Sequence, residues 1–293
     1  MSRKSLANGR YNKKDEFYTK YQDVKFELDH YIPQFKDKVI YCPCDTSDSA
    51  FVKYFLELEA KGLIKELIYT SYKDGVGTDC LSESAIDGYR HSDIIVTNPP
   101  FSKFREFISI LDKLNKKFIL WGNSNALTYK PVVKMIKNNR IHAGYTCNKT
   151  CEFEVPADYT NKAYERDGKK FCKVPSCSIF TNLIVDKRTI ELNSNNIAYQ
   201  KYDNFDAINV NKISDIPDNY YGLIGVPITY FYKHDSSKFE ILGLFNNFTC
   251  SPEDGLYSGD NVKLPGPPFN TKGPVINGSP IYCRLLIKRI KCD

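Results

Sequence analysis

The chain predicts an α/β fold: a doubly wound, Rossmann-like sheet followed by a β-rich C-terminal extension. Three observations carry this expectation. Short, continuous apolar runs alternate with amphipathic helical stretches through the first half. That helical period fades after about residue 145. The most distinctive tetrapeptide, Asn98-Pro99-Pro100-Phe101, follows directly on one of the apolar runs.

Taken in order, Lys38 to Cys42 reads as a strand ending in a Pro/Cys/Asp turn. Ser49 to Ala60 is helical, with Phe51, Tyr54, Phe55 and Leu58 on one face. Glu66 to Thr70 and Asp93 to Thr97 are further strands. Phe101 to Leu114 is a helix whose stripe is Phe104, Phe107, Ile108, Leu111 and Leu114. Lys117 to Trp121 is a strand, and Lys130 to Asn139 a helix that Pro131 can begin in its first turn. In the second half, Cys177 to Val185, Tyr221 to Pro227, Phe239 to Phe245 and Ile281 to Ile290 read as strands. Ser258 to Pro280, crowded with Gly and Pro, reads as an irregular loop. The expected division is a basic tail (1–14), a domain of alternating strands and helices (15–150), and an extension (151–293) that completes the sheet.

Composition narrows the function classes. No apolar run approaches the roughly 18 residues that cross a bilayer, and the basic N-terminus leads into no apolar stretch. A cytoplasmic, monomeric protein with no membrane partner is expected. The net charge of +6 is modest, but basic residues gather at both ends. The first 14 residues hold Arg3, Lys4, Arg10, Lys13 and Lys14 without an acid, and Arg284, Lys288, Arg289 and Lys291 lie near the other end. Such ends suit phosphate contacts, although solvated termini explain each alone equally well. Ten cysteines show no CxxC pair, so buried free thiols are expected and no metal site. His30, His91, His142 and His234 share no ligand spacing.

Ligands bind outside the carboxyl ends of parallel strands, which is where Asn98 to Phe101 falls. An exocyclic amino group of adenine is a poor nucleophile because its lone pair is delocalised into the ring. Two acceptors on its N–H bonds favour a tetrahedral nitrogen and aim the lone pair outward. The Asn98 side chain and the Pro99 carbonyl can be those acceptors, with Pro100 helping to fix the backbone between them. Phe101 offers a face on which an extruded base can stack. Gly266-Pro267-Pro268-Phe269 lacks the asparagine and follows no strand, so it receives no catalytic role.

Several segments around this element, in order along the chain, resemble the EcoRI-type family of adenine-specific DNA methyltransferases. They are Asp15 to Thr19, Tyr41 to Asp45, Ser92 to Ser102, Phe104 to Glu106, Gly122-Asn123 with Thr128 to Lys130, Phe180 to Leu183, and Gly225 to Thr229. The resemblance implies a site-specific DNA methyltransferase using S-adenosylmethionine, with double-stranded DNA as partner, in a bacterial or phage-infected cell; residues 15–150 would then bind the cofactor and catalyse, and 151–293 would read DNA. It implies that Asn98, Pro99 and Phe101 hold a flipped adenine, and that Phe17, Tyr18 and Thr19 lie against the methionine part of the cofactor. Cys42, Pro43, Cys44 and Asp45 would form the turn where the cofactor sits, and Asp79 would face its adenine amine. Lys13, Lys14 and Arg105 are candidate phosphate contacts. The usual glycine-rich turn is missing here, and no carboxylate ends the second strand at Thr70, where Asp74 is the nearest candidate for the ribose. The same chemistry on RNA adenine or protein glutamine, or an inactive DNA-binding homologue, are the alternative readings. Whether a restriction endonuclease accompanies the protein is left open.

Overall fold

Two apolar runs become the buried heart of the first sheet in a computed structural model that describes residues 17–69, 82–186, 192, 198–246, 255–257 and 273–291. They are β1 (Val39–Cys42) and β3 (Ile94–Thr97), buried at every position, as strands covered on both faces must be. β2 (Glu66–Tyr69) is only partly covered, and it lies at the sheet edge. β4 (Lys117–Asn123) completes a parallel set in the order β2-β1-β3-β4. The chain leaves β1 toward β2 on one side and then returns to β3 on the other. A crevice at this switch of direction is where α/β sheets bind ligands.

The helices between these strands follow their apolar stripes. In α3 (Ala50–Ala60), Ser49 caps the start by accepting from the Val52 N–H at 3.1 Å. Its Phe51 ring meets Trp121 edge-on at 4.8 Å in the core. α5 (Phe104–Lys113) buries Phe104, Phe107, Ile108 and Leu111 as its spacing predicts, and Phe101 to Lys103 form the turn before it. Three further helices were not legible. α1 (Tyr21–Leu28) precedes the short α2 (Ile32–Phe35), and α4 (Glu83–His91) precedes β3. In α1 the buried face is Val24, Glu27 and Leu28, so a carboxylate interrupts the apolar stripe.

The largest departure from expectation follows residue 148. β6 (Lys149–Glu154), β7 (Ala163–Arg166) and β8 (Lys169–Thr181) form an antiparallel hairpin system. β8 starts at Lys169, well before Cys177 where a strand was expected, and it stops at Thr181. Asp167 (φ 52°) and Gly168 (φ 74°) make the two-residue turn between β7 and β8. An Asp-Gly pair with both φ values positive matches the right-handed twist of its flanking strands. The 13-residue β8 has two roles. Residues 177–181 pair antiparallel with β4, and 169–174 pair with β6 and β7. Between them Ser176, at φ 59°, provides one extra residue opposite β6. β5 (His142–Ala143) lies at the end of this sheet.

The compact units therefore run differently from the expected boundary at residue 150. One comprises 1–126 with 143–185, because β8 is part of the first sheet; the other comprises 127–142 with 186–293. In the second unit, α6 (Lys130–Lys137) accompanies a mixed sheet of order β13-β12-β16-β11-β10-β9. Its strands are β9 (Gln200–Lys201), β10 (Ile208–Asn209), β11 (Leu223–Pro227), β12 (Phe239–Phe245), β13 (Leu256–Tyr257) and β16 (Arg284–Arg289). Part of the expected irregular loop is a small hairpin of β14 (Val275–Ile276) and β15 (Ser279–Pro280). Arg284, one of the basic residues near the C-terminal end, donates to Asn209 and Asn211 (3.2 and 3.1 Å). No helix among the described residues is long and apolar enough to cross a membrane.

Candidate active site at the end of the third strand

The carboxyl ends of β1 and β3 are joined by one short hydrogen bond. Thr97, the last residue of β3, donates from Oγ1 to Oδ2 of Asp45 at 2.6 Å, and both residues are buried. Asp45 belongs to the turn that follows β1, so this bond spans the switch in strand order. Burial pushes the Asp45 carboxyl up to about 6, against the opposing pull of the Thr97 and Ser49 hydrogen bonds.

The sign of this shift gives a pH prediction. A carboxyl that holds its proton more tightly folded than unfolded stabilises the fold below about pH 4, and that stability is lost as pH rises through about 6. The difference is on the order of 3 kcal/mol. Asp45→Asn keeps an acceptor for Thr97 and cannot ionise. Thermal melts of the cofactor-free protein from pH 4 to 7 are expected to lose this downward component in the variant. Equal pH slopes for the two proteins would refute it.

One residue beyond Thr97, Asn98 is held from an unexpected direction. Its Nδ2 donates to the backbone carbonyl of Phe17 (2.8 Å) and to Oγ1 of Thr19 (3.1 Å). The Phe17 carbonyl can only accept, so the amide must turn its NH₂ that way. Its Oδ1 is then left buried without a hydrogen-bond partner among the described residues. An orphaned buried acceptor costs roughly 1–3 kcal/mol, so a ligand that donates to it regains that energy. The following residues are a fixed turn: the Pro100 carbonyl accepts from the Lys103 N–H at 2.9 Å.

Phe101 and Phe17 pack at 5.3 Å between ring centroids, and Phe17 also meets Phe153 (5.5 Å) and Tyr159 (5.9 Å). These rings belong to a cluster with Val155, Cys172, Val174 and Cys177. The segment that carries Phe17 is docked on β6 by a two-way backbone bridge between Tyr18 and Glu154 (3.0 and 3.2 Å). Beside it, Glu152 receives Lys20, the Tyr164 hydroxyl and Arg166, and these donors hold its carboxylate down to about 2.

The structure thus brings together Phe17, Thr19, Asp45, Asn98, Pro99, Pro100 and Phe101 around the ends of β1 and β3. Tyr18 is half exposed beside them. Cys42 is fully buried, with its thiol pushed well up by burial, so it supports the turn from beneath; Pro43 and Cys44 form the turn itself. Arg105 is exposed in the first turn of α5. Asp79, Asp74, Lys13, Lys14 and the Gly266–Phe269 sequence lie outside the described residues. Among the described residues no group of three His, Cys, Asp or Glu side chains could hold a metal, and the seven cysteines there are free thiols. The hub at Glu152 was missed. Its one signal was Asp167-Gly168, an Asp-Gly turn between Ala163-Tyr164-Glu165-Arg166 and Lys169-Lys170-Phe171-Cys172.

Comparison with known proteins places the chain in a family. A family model described as adenine-specific methyltransferase EcoRI matches residues 5–83 and 75–290. The chain is 37% identical to the type II methyltransferase M.EcoRI of Escherichia coli, covering 82% of this chain and 88% of that one. It is 33% identical to M.MgeORF184P of Mycoplasma genitalium (94% and 96% covered). It is also 32% identical to M.MpnI of Mycoplasma pneumoniae (80% and 84%).

Proposed function

The chain belongs to the EcoRI family of adenine-specific methyltransferases, and from that premise we propose that Asn98 and Pro99 grip the exocyclic amine of an adenine extruded from duplex DNA. Membership of the family makes the protein a DNA methyltransferase dependent on S-adenosylmethionine. The roles of individual residues and the extrusion of the base are our reading. The orphaned Oδ1 of Asn98 carries it. Adenine N6 bears two N–H bonds: one suits that oxygen, and the other suits the Pro99 carbonyl, because the next carbonyl is occupied by Lys103. Holding both bonds draws the nitrogen toward a tetrahedral shape, so its lone pair is available for attack. Phe101, half-buried against Phe17, supports the plane of the base.

When bound, S-adenosylmethionine supplies a methyl group on a cationic sulfonium. The residues present fit such a group. Asp45 is a buried carboxyl at the switch in strand order, and a cation beside it would favour its ionised form. Phe17 adds an aromatic surface suited to a cation. The turn Pro43-Cys44 and the outlying Asp79 complete the proposed cofactor contacts. Lys13, Lys14 and Arg105 are proposed to meet phosphates. The protein acts in our reading as a cytoplasmic monomer, and a separate endonuclease for the same DNA site is a natural companion.

The test is transfer of a tritiated methyl group to adenine-containing duplex DNA. Label in DNA that hydrolysis returns as N6-methyladenine is expected. Label in RNA or protein with none in DNA would overturn the proposal.

A further inference from the structure

We infer that the Phe17 carbonyl and the Thr19 hydroxyl form a positioning clamp for the Asn98 amide, taking both of its N–H bonds so that Oδ1 is the only group this side chain can offer an adenine. The inference rests on the assignment of Asn98 to the base and gives Thr19 a role other than the cofactor contact expected from family resemblance. A primary amide offers two chemically opposite ends that a half-turn about one bond exchanges. With its nitrogen toward the substrate it would present two N–H donors to an amine that also donates, and the grip would fail. The Phe17 carbonyl at 2.8 Å, which can only accept, forbids that half-turn, and the Thr19 hydroxyl at 3.1 Å takes the second N–H.

The clamp sits in a segment docked by three bonds independent of Asn98. The Tyr18–Glu154 bridge fixes its backbone in both directions, and the Lys20–Glu152 pair anchors its end. Thr19 lies between these anchors, so its hydroxyl is delivered to Asn98 by the segment docked on β6, a strand distant in sequence from β3, at whose end Asn98 stands. Thr19 is a positioning residue.

The clamp also explains why an amide occupies this position. A carboxylate in place of Asn98 would set an acceptor against the Phe17 carbonyl with no hydrogen between them. Only the protonated acid could donate to Phe17 and still leave an oxygen for the base.

Single-turnover methyl transfer at saturating DNA and S-adenosylmethionine tests this, together with calorimetric titration of the cofactor alone. Thr19→Val is expected to slow transfer about tenfold, the value of one hydrogen bond. Cofactor affinity should stay within about twofold, and Thr19→Ser should restore most of the rate. Asn98→Asp is expected to be slow at pH 8 and to speed up as pH falls toward 6, opposite to a loss of fold. Unchanged transfer by Thr19→Val would overturn the clamp. So would a loss of cofactor affinity matching the loss of rate, or an Asn98→Asp protein that matches the native rate at pH 8. If Asn98→Ala keeps its activity, the assignment of Asn98 to the base has failed; if that variant is inactive while Thr19→Val is normal, only the clamp has.

Discussion

Asn98→Ala is expected to reduce methyl transfer to DNA by about 10²–10³-fold or more, while affinity for S-adenosylmethionine changes by less than about tenfold. The expectation follows from which atoms the side chain touches. Its nitrogen is spent on Phe17 and Thr19, and its oxygen has no partner among the described residues, so the atom proposed to meet the amine holds no other part of the protein there. Preorganised acceptors act on the amine as its nitrogen rehybridises, an interaction stronger in the transition state than in the bound substrate. Truncation therefore lowers the rate at saturation beyond any loss of hold on the base, and leaves the affinity for the cofactor nearly unchanged. A variant that transfers methyl groups within about fivefold of the native rate would sink the assignment. A variant whose defect vanishes at high cofactor concentration would move Asn98 to the cofactor.

The largest effect on stability is expected at Glu27, which belongs to no part of the proposed site. This carboxyl is fully buried in α1 and accepts from the Tyr31 hydroxyl (2.9 Å), the Tyr145 N–H (2.8 Å) and the Thr146 N–H (2.6 Å). Gly144 leaves the room for it: a Cβ there would stand 2.3 Å from Oε1. Glu27 thus fastens α1 to the stretch that leads into β6. Glu27→Ala strands three buried donors and opens a gap, at a cost of roughly 3–5 kcal/mol after water fills part of the space. Melting should fall by roughly 10 °C in a unit of this size. Glu27→Gln, which keeps the volume and one acceptor, should fall between the two. A melting temperature within about 2 °C of native for the alanine variant would show that the three bonds contribute little.

Glu27 also illustrates why part of the fold was hidden in the sequence. Strands β1 and β3 and helices α3 and α5 bury uninterrupted apolar patterns, so their periods speak directly. In α1 the position that a stripe would fill with Leu holds Glu, and the pattern breaks at the residue that fixes the helix in place. β6 and β7 are concealed for another reason. Their outward positions carry Glu152, Glu154, Tyr164 and Arg166, so they look like a polar loop until partners are known. The site divides along the same line. Asn98 to Phe101 was legible because the motif sits at a strand end. Asp45 was visible as a turn residue. The carbonyl of Phe17 could not be seen, since any residue type presents one, and what matters is that Tyr18 pairs with a strand more than a hundred residues away.

The extra residue in β8 has a consequence for how this chain tolerates change in length. Cys172, Val174 and Cys177 all join the aromatic cluster because Ser176 shifts the alternation once. Deleting that serine would keep both halves of the strand paired but turn one of them over. Lys173 and Lys169 would then exchange sides with Cys172 and Lys170, bringing ammonium groups against Phe17 and Phe101. Residues gained or lost at Asp167-Gly168 would change only a solvent-facing tip. Natural drift in this hairpin should therefore accumulate at its far end, while the three-residue step from Val174 to Cys177 behaves as a reading frame.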